Sequence, residues 1–262
     1  VTGLVGSEMC IRDSTYTTPI LGDYDFDSKI TYNDLWDLVE NWEMKNFNYE
    51  LGPVSGQVPH FISIPDSKFD IEDGMAFVQI WSWYQKEYGQ IVEDTVMIGK
   101  PLNIAQLGNE LSIFIDDSIA SGQIQFSNNH IDSRLRFSTK SYDGAMYLSH
   151  QNPEKGYSIL EFARPKSMAK DTIHVTADEE SKLKIYYKFY GRDKKEIQRG
   201  HTSFKYSTIP TTLDLYPAYP NPFNPVTTLQ FDIPYLENTE KVSLSIFDLM
   251  GREIDMLSLI HI

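Results

Sequence analysis

Cysteine is almost missing from this chain: Cys10 is the single one in 262 residues. It lies in Ser7-Glu8-Met9-Cys10-Ile11-Arg12-Asp13-Ser14, which, like Leu257-Ser258-Leu259-Ile260-His261-Ile262 at the other end, reads as a translated sequencing-library adapter. Residues 1–14 and 257–262 are therefore excluded from fold reasoning, and the natural segment is expected to be cut on both sides. What remains has no cysteine for a disulfide framework or a thiolate metal site. Cationic side chains are also scarce. The 23 Lys and Arg against 37 Asp and Glu give a formal net charge of −14, which excludes nucleic-acid backbone binding, where clustered cations are required. No apolar run approaches the ~18 residues of a transmembrane helix.

Catalytic signatures are lacking too. There is no Gly-x-Ser-x-Gly elbow and no His-Glu-x-x-His helix. His130, His150, His174 and His201 stand singly, and Asp116-Asp117, as strand neighbours, face opposite ways rather than forming a carboxylate pair. No catalytic residue is assigned, and the chain is read as a non-enzyme. What is present is a 41% hydrophobic, 13% aromatic composition, which predicts folded modules rather than disorder.

The first positive signal is a spacing of carboxylates. Asp23, Asp25, Asp27 and Asp34 fall at positions 1, 3, 5 and 12 of a twelve-residue loop, with the carbonyl of Lys29 at position 7 and Ile30 as a core anchor at position 8. Calcium is a hard cation that takes six to eight oxygens, and alternating positions aim their side chains inward as the chain curls. Ser28 stands where a glycine usually eases the sharp turn. A helix follows, with Leu35, Leu38, Val39 and Trp42 on one face. The alternative is a solvated acidic turn capping that helix.

The pattern recurs. Asp66-Ser67-Lys68-Phe69-Asp70-Ile71-Glu72-Asp73 repeats the register of Asp27 to Asp34, and Phe77, Val78 and Trp81 take the places of Leu38, Val39 and Trp42. In this alignment Ile62 and Ile64 fall at positions 1 and 3 and cannot coordinate. The second loop is left with Asp66, Asp70 and Asp73, and its occupancy stays open. Paired loops of this kind, each followed by a helix, resemble a dockerin domain over residues 22–86. The resemblance implies a calcium-stapled fold. Positions 10 and 11, which face the cohesin partner in that family, are Tyr32-Asn33 and Ile71-Glu72 here, and a long insertion runs from Asn46 to Ser63.

From Val96 to about Tyr206 the period changes to two. Leu111, Ile113 and Ile115 alternate with Ser112, Phe114 and Asp116, and Gln123–Phe126, Arg134–Phe137, Ala145–Leu148, Ser158–Phe162, Thr172–Thr176 and Lys182–Tyr190 continue the theme. Residues 87–206 are expected to form an antiparallel sandwich that resembles cohesin-type or immunoglobulin-like modules. Tyr186, Tyr187 and Tyr190 are read either as exposed rings able to stack on sugars or as ordinary members of a half-buried sheet.

The last texture begins at Leu213. Pro220-Asn221-Pro222-Phe223-Asn224-Pro225, then Thr227-Thr228, Ile233-Pro234, and Val242-x-Leu244-x-Ile246-Phe247-Asp248-x-x-Gly251-Arg252 follow one another. The prolines force an extended entry. Strands are predicted at Thr228–Pro234, at Val242–Asp248 and from Glu253 onward. This string closely resembles the type A C-terminal sorting domain of type IX secretion. The resemblance implies a small immunoglobulin-like sandwich over 207–256, here truncated, that an outer-membrane translocon reads as an address.

The expected architecture is thus multi-domain and mainly β, with a small α-helical calcium module, an antiparallel sandwich and a sorting module. Ca²⁺ is the expected cofactor. The expected partners are the type IX translocon, a cohesin-like domain in cis or in trans, and polysaccharide. The expected location is extracellular or attached to the outer-membrane surface, reached through the periplasm. The expected role is a non-catalytic accessory region, or alternatively the polysaccharide-targeting tail of an extracellular hydrolase.

Overall fold

The structure, a computed structural model, describes residues 20–91, 96–128, 134–139, 144–166, 169–208, 212–222, 225–234, 241–248 and 250–260. Residues 1–14, including Cys10, lie outside these, as do Phe223, Asn224, His261 and Ile262.

Two helices open the described chain. Helix α1 (Tyr32–Met44) starts at Thr31, whose side chain accepts the N–H of Asn33 while Asp34 returns a bond to the backbone of Thr31, closing a capping box. Helix α2 (Ile71–Tyr88) repeats the device with Asp70 and Asp73. A short ribbon of β1 (Val54–Ser55) and β2 (Ile62–Ser63) lies between them. Most of the predicted stripes are buried: Leu35, Leu38 and Val39 on α1, Phe77 and Trp81 on α2, joined by Trp36 and Ile80, while Trp42 and Val78 are half-buried.

Nine strands then make two antiparallel sheets. One has the order β11 (Glu196–Tyr206), β10 (Ser181–Tyr190), β5 (Ser121–Asn128), β8 (Tyr157–Ala163), β7 (Met146–Asn152). The other has β3 (Asn103–Leu107), β4 (Glu110–Ile115), β9 (Asp171–Ala177), β6 (Leu135–Thr139). Between them Leu111, Ile113, Phe126, Phe162, Val175, Leu183 and Phe189 form one core. The alternation read from the sequence is the inward half of these strands.

The alternation breaks down most completely in β8. An antiparallel strand with a wet face should bury every second residue, yet β8 is buried at all seven positions. Its even members, Leu160 and Phe162, enter the inter-sheet core. Its odd members, Tyr157, Ile159 and Ala163, enter a second core shared with α1 and α2. The helices therefore lie on the outer face of the five-stranded sheet. Lys166–Glu43 and Lys194–Asp37 ion pairs tie α1 to sandwich loops, and the Lys155 ammonium donates to the carbonyls of Lys86, Glu87 and Gly89 at the end of α2.

Glu161 is the one acidic member of this face, fully buried under α2. Its carboxylate accepts from Trp81 Nε1 (2.7 Å), Gln123 Nε2 (2.7 Å) and Gln85 Nε2 (3.4 Å). Burial outweighs these donors and pushes its pKa up to about 7. The folded chain thus keeps a proton that the unfolded chain releases near 4.5, so stability falls as pH rises between those values. In urea titrations from pH 4.5 to 8, Glu161→Gln is expected to flatten this slope, which is worth up to roughly 3 kcal/mol. An unchanged slope would remove Glu161 as its source.

The C-terminal residues form two separate ribbons, β12 (Asp214–Leu215) with β13 (Phe231–Asp232), and β14 (Lys241–Phe247) with β15 (Glu253–Ile260). The strand expected over Thr228–Pro234 is shorter, reduced to β13 and a bridge from Thr228 to Tyr219. Leu215, Tyr219, Phe247 and Ile254 are exposed, so these ribbons contribute to neither core.

Candidate metal centre

The first acidic loop closes on itself through its own carboxylates. Asp25 accepts the N–H of Asp27, Asp27 accepts that of Lys29, and Asp23 Oδ2 accepts that of Ser28 at 3.0 Å. Ser28 adopts φ 64°, the left-handed turn that the missing glycine would have eased, and Ser67 in the second loop adopts the same value. These bonds bring one oxygen each of Asp23, Asp25 and Asp27 within 4.8 Å of one another.

Asp23 is 6% exposed, and its other oxygen, Oδ1, is buried with no hydrogen-bond partner. Burial, with the neighbouring charges of Asp25 and Asp27, raises its pKa. A buried orphan acceptor beside two carboxylates is costly to leave unmet, and a divalent cation would satisfy it and the repulsion together. Asp23, Asp25 and Asp27 are thus the residues that fit calcium. Lys29 follows them, its ammonium 4.0 Å from Asp27.

Asp34 is placed differently from its three partners in the spacing. It is fully buried, its two oxygens accept the N–H groups of Tyr24 and Thr31, and burial pushes its pKa up to about 7. It joins the start of the loop to the start of the helix.

The second loop is built from a residue that the sequence alignment missed. Glu50, 6% exposed, accepts the N–H groups of Asp66 and Ser67 and so occupies the place that Asp23 holds in the first loop. Asp73 accepts from Leu51 and Gly52 on one oxygen and from Asp70 on the other, the counterpart of Asp34. Ile62 and Ile64 are therefore not positions 1 and 3; they belong to an excursion through β1 and β2 that interrupts the repeat. The signal that could have located Glu50 was an acid followed by a large apolar residue, Glu50-Leu51 matching Asp23-Tyr24. Asp66 pairs instead with Lys68 at 2.5 Å, and Asp66, Asp70 and Asp73 do not converge as the first triad does.

Two of the tyrosines read as possible sugar platforms are covered. Tyr187 is 3% exposed and faces the inter-sheet core, and Tyr186 is 9% exposed. Tyr190 stacks on Tyr32 of α1 with ring centroids 4.9 Å apart and hydroxyls 2.8 Å apart. In the C-terminal segment Pro220, Asn221, Pro222 and Pro225 are exposed, and the carbonyl of Pro220 accepts from Thr227. Gly251 (φ 77°) and Arg252 form the β14–β15 turn, where Asp248 accepts from the backbone of Met250 and Arg252 and from the Arg252 guanidinium.

No protein-family description matches the chain, and no curated protein matches it either. Among solved structures it is similar to the cohesin module of a family 33 glycoside hydrolase from Clostridium perfringens ATCC13124. The match has 14% identity and a TM-score of 0.30, and covers 43% of this chain and 98% of that one.

Proposed function

We propose that the chain is a non-catalytic accessory region of an exported bacterial protein, in which a calcium-stapled, dockerin-like helical pair is docked in cis on a cohesin-like sandwich. The observation that carries this reading is the orphaned Oδ1 of buried Asp23 beside Asp25 and Asp27. The docking is supported by the core that α1 and α2 share with β8, and by Tyr32. At loop position 10, where the resemblance puts a partner-facing residue, Tyr32 meets Tyr190 of the same chain. The exposed Pro-Asn-Pro stretch and the Gly251-Arg252 hairpin turn are the parts of a type IX sorting address, which would take the parent protein to the cell surface.

The calcium claim has a direct test. Titration calorimetry of the full chain should show calcium binding that weakens at least roughly 100-fold in Asp23→Ala/Asp27→Ala, because affinity in such loops follows the number of charged ligands. Equal binding by the two proteins would sink it.

A further inference from the structure

We infer that the second loop is closed by the protein's own donors and takes no metal, so that calcium is confined to the first loop. The inference rests on the calcium reading of the first loop, and on a contrast between the two copies. In the first copy the position-1 carboxylate uses one oxygen on Ser28 and leaves the other buried and unmet. In the second copy the position-1 carboxylate is Glu50, and both of its oxygens accept N–H groups, Oε1 from Asp66 and Ser67 and Oε2 from Ser67.

Position 3 shows the same divergence. Asp25 supplies an oxygen to the first triad. In the second copy the chain leaves Leu51 for the β1–β2 ribbon and returns only at Asp66, so no carboxylate stands in that place. At position 5, Asp66 accepts both the backbone N–H and the ammonium of Lys68. Lys68 also lies beside Asp70 and Glu72 and is held protonated mainly by Asp66. A side-chain ammonium two residues on thus sits where a metal would have to compete. The first loop has a lysine in the same register, but Lys29 is 4.0 Å from Asp27 and donates no side-chain hydrogen bond to it among the described contacts. Position 12 does not separate the copies: both oxygens of Asp73 are taken by three backbone N–H groups, and both of Asp34 by two.

The same fold of loop is therefore stapled in two ways. The first copy gathers three carboxylates around an open place. The second has two carboxylates wired to backbone amides and a third neutralised by lysine, so its geometry is complete before any ion arrives.

Calcium stoichiometry on the full chain, by equilibrium dialysis with elemental analysis, tests the assignment. One ion per chain is expected, none in Asp23→Ala/Asp27→Ala, and one in Glu50→Gln. Two ions in the unsubstituted chain, or one surviving in Asp23→Ala/Asp27→Ala, would overturn it. No ion in the unsubstituted chain would fell the first-loop reading while upholding the second loop as metal-free. Thermal unfolding in excess chelator gives an independent arm. Glu50→Ala should lower Tm by roughly 5 °C, because the N–H groups of Asp66 and Ser67 lose the buried carboxylate that closes the loop, whether or not calcium is present. A Glu50→Ala effect that appears only with calcium would contradict the metal-free staple.

Discussion

Trp81→Ala is expected to lower the unfolding free energy by about 3–5 kcal/mol, the range for removing a large buried aromatic ring. Trp81 is 2% exposed, packs edge-on against His150, and donates 2.7 Å to the buried Glu161. Its removal opens a cavity between α2 and the sheet and takes a donor from a carboxylate with no access to water. Trp81→Phe should cost less, since most of the ring volume stays while the indole N–H is lost. Urea unfolding followed by far-ultraviolet circular dichroism measures both. The same experiment reports on docking. If α2 is held to the sheet mainly through this contact, helix signal in Trp81→Ala should be lost at lower urea than strand signal. A single transition shifted by less than about 1 kcal/mol would mean that the contact is peripheral.

Arg164→Leu is expected to cost a comparable amount, again about 3–5 kcal/mol, for a different reason. Arg164 is fully buried at the end of β8, and its guanidinium serves backbone carbonyls. Nε donates to Ile119 and Nη1 to Ala169, both at 2.9 Å, and Nη2 donates to Asp116. Two of these carbonyls lie in the connection from β4 to β5, and the third lies in that from β8 to β9. One side chain thus secures two of the connections that carry the chain between the sheets at this end, β4 to β5 and β8 to β9. Leucine fills part of the volume and leaves the carbonyls without those donors. Arg164→Lys, with one compact ammonium in place of a planar fork, should recover only part of the loss. Arg192→Ala, at an exposed guanidinium, should change stability by less than about 0.5 kcal/mol in the same urea titration.

The periodic parts of this molecule were legible in the sequence because periodicity is a local property. Leu35, Leu38 and Val39 mark α1, and Leu111, Ile113 and Ile115 mark β4. The spacing of Asp23, Asp25 and Asp27 marks a loop that converges because consecutive residues build it. Positions fixed by distant chain were not legible. Glu50 is joined to Ser67 by folding, across an excursion that hides the repeat from any fixed-offset alignment. Glu161 reads as a polar residue on a wet strand face until helices cover that face. Tyr186 and Tyr187 stayed open between two readings for the same reason. Alternation puts one of them outside and one inside, and it says nothing about whether the outside is water or protein. Composition likewise gave no hint of Arg164, since a buried arginine is defined by the carbonyls around it.

The link from Trp81 to Glu161 spans eighty positions of chain. A polypeptide that emerges from its N-terminus therefore produces α1 and α2 well before β8, the strand on which they rest. During that interval the helices lack the sheet residues that complete their core and the Trp81 indole lacks its carboxylate, and loop closure must come before that contact rewards it. Helices this short are marginal alone in water. Both acidic loops need only neighbours already made: Glu50 and Asp73 accept N–H groups from residues 51 to 70, and Asp23, Asp25 and Asp27 gather within a few residues of chain. In order of synthesis the loop staples come first and the sandwich last, which makes the two acidic loops placeholders for a core still to be synthesised.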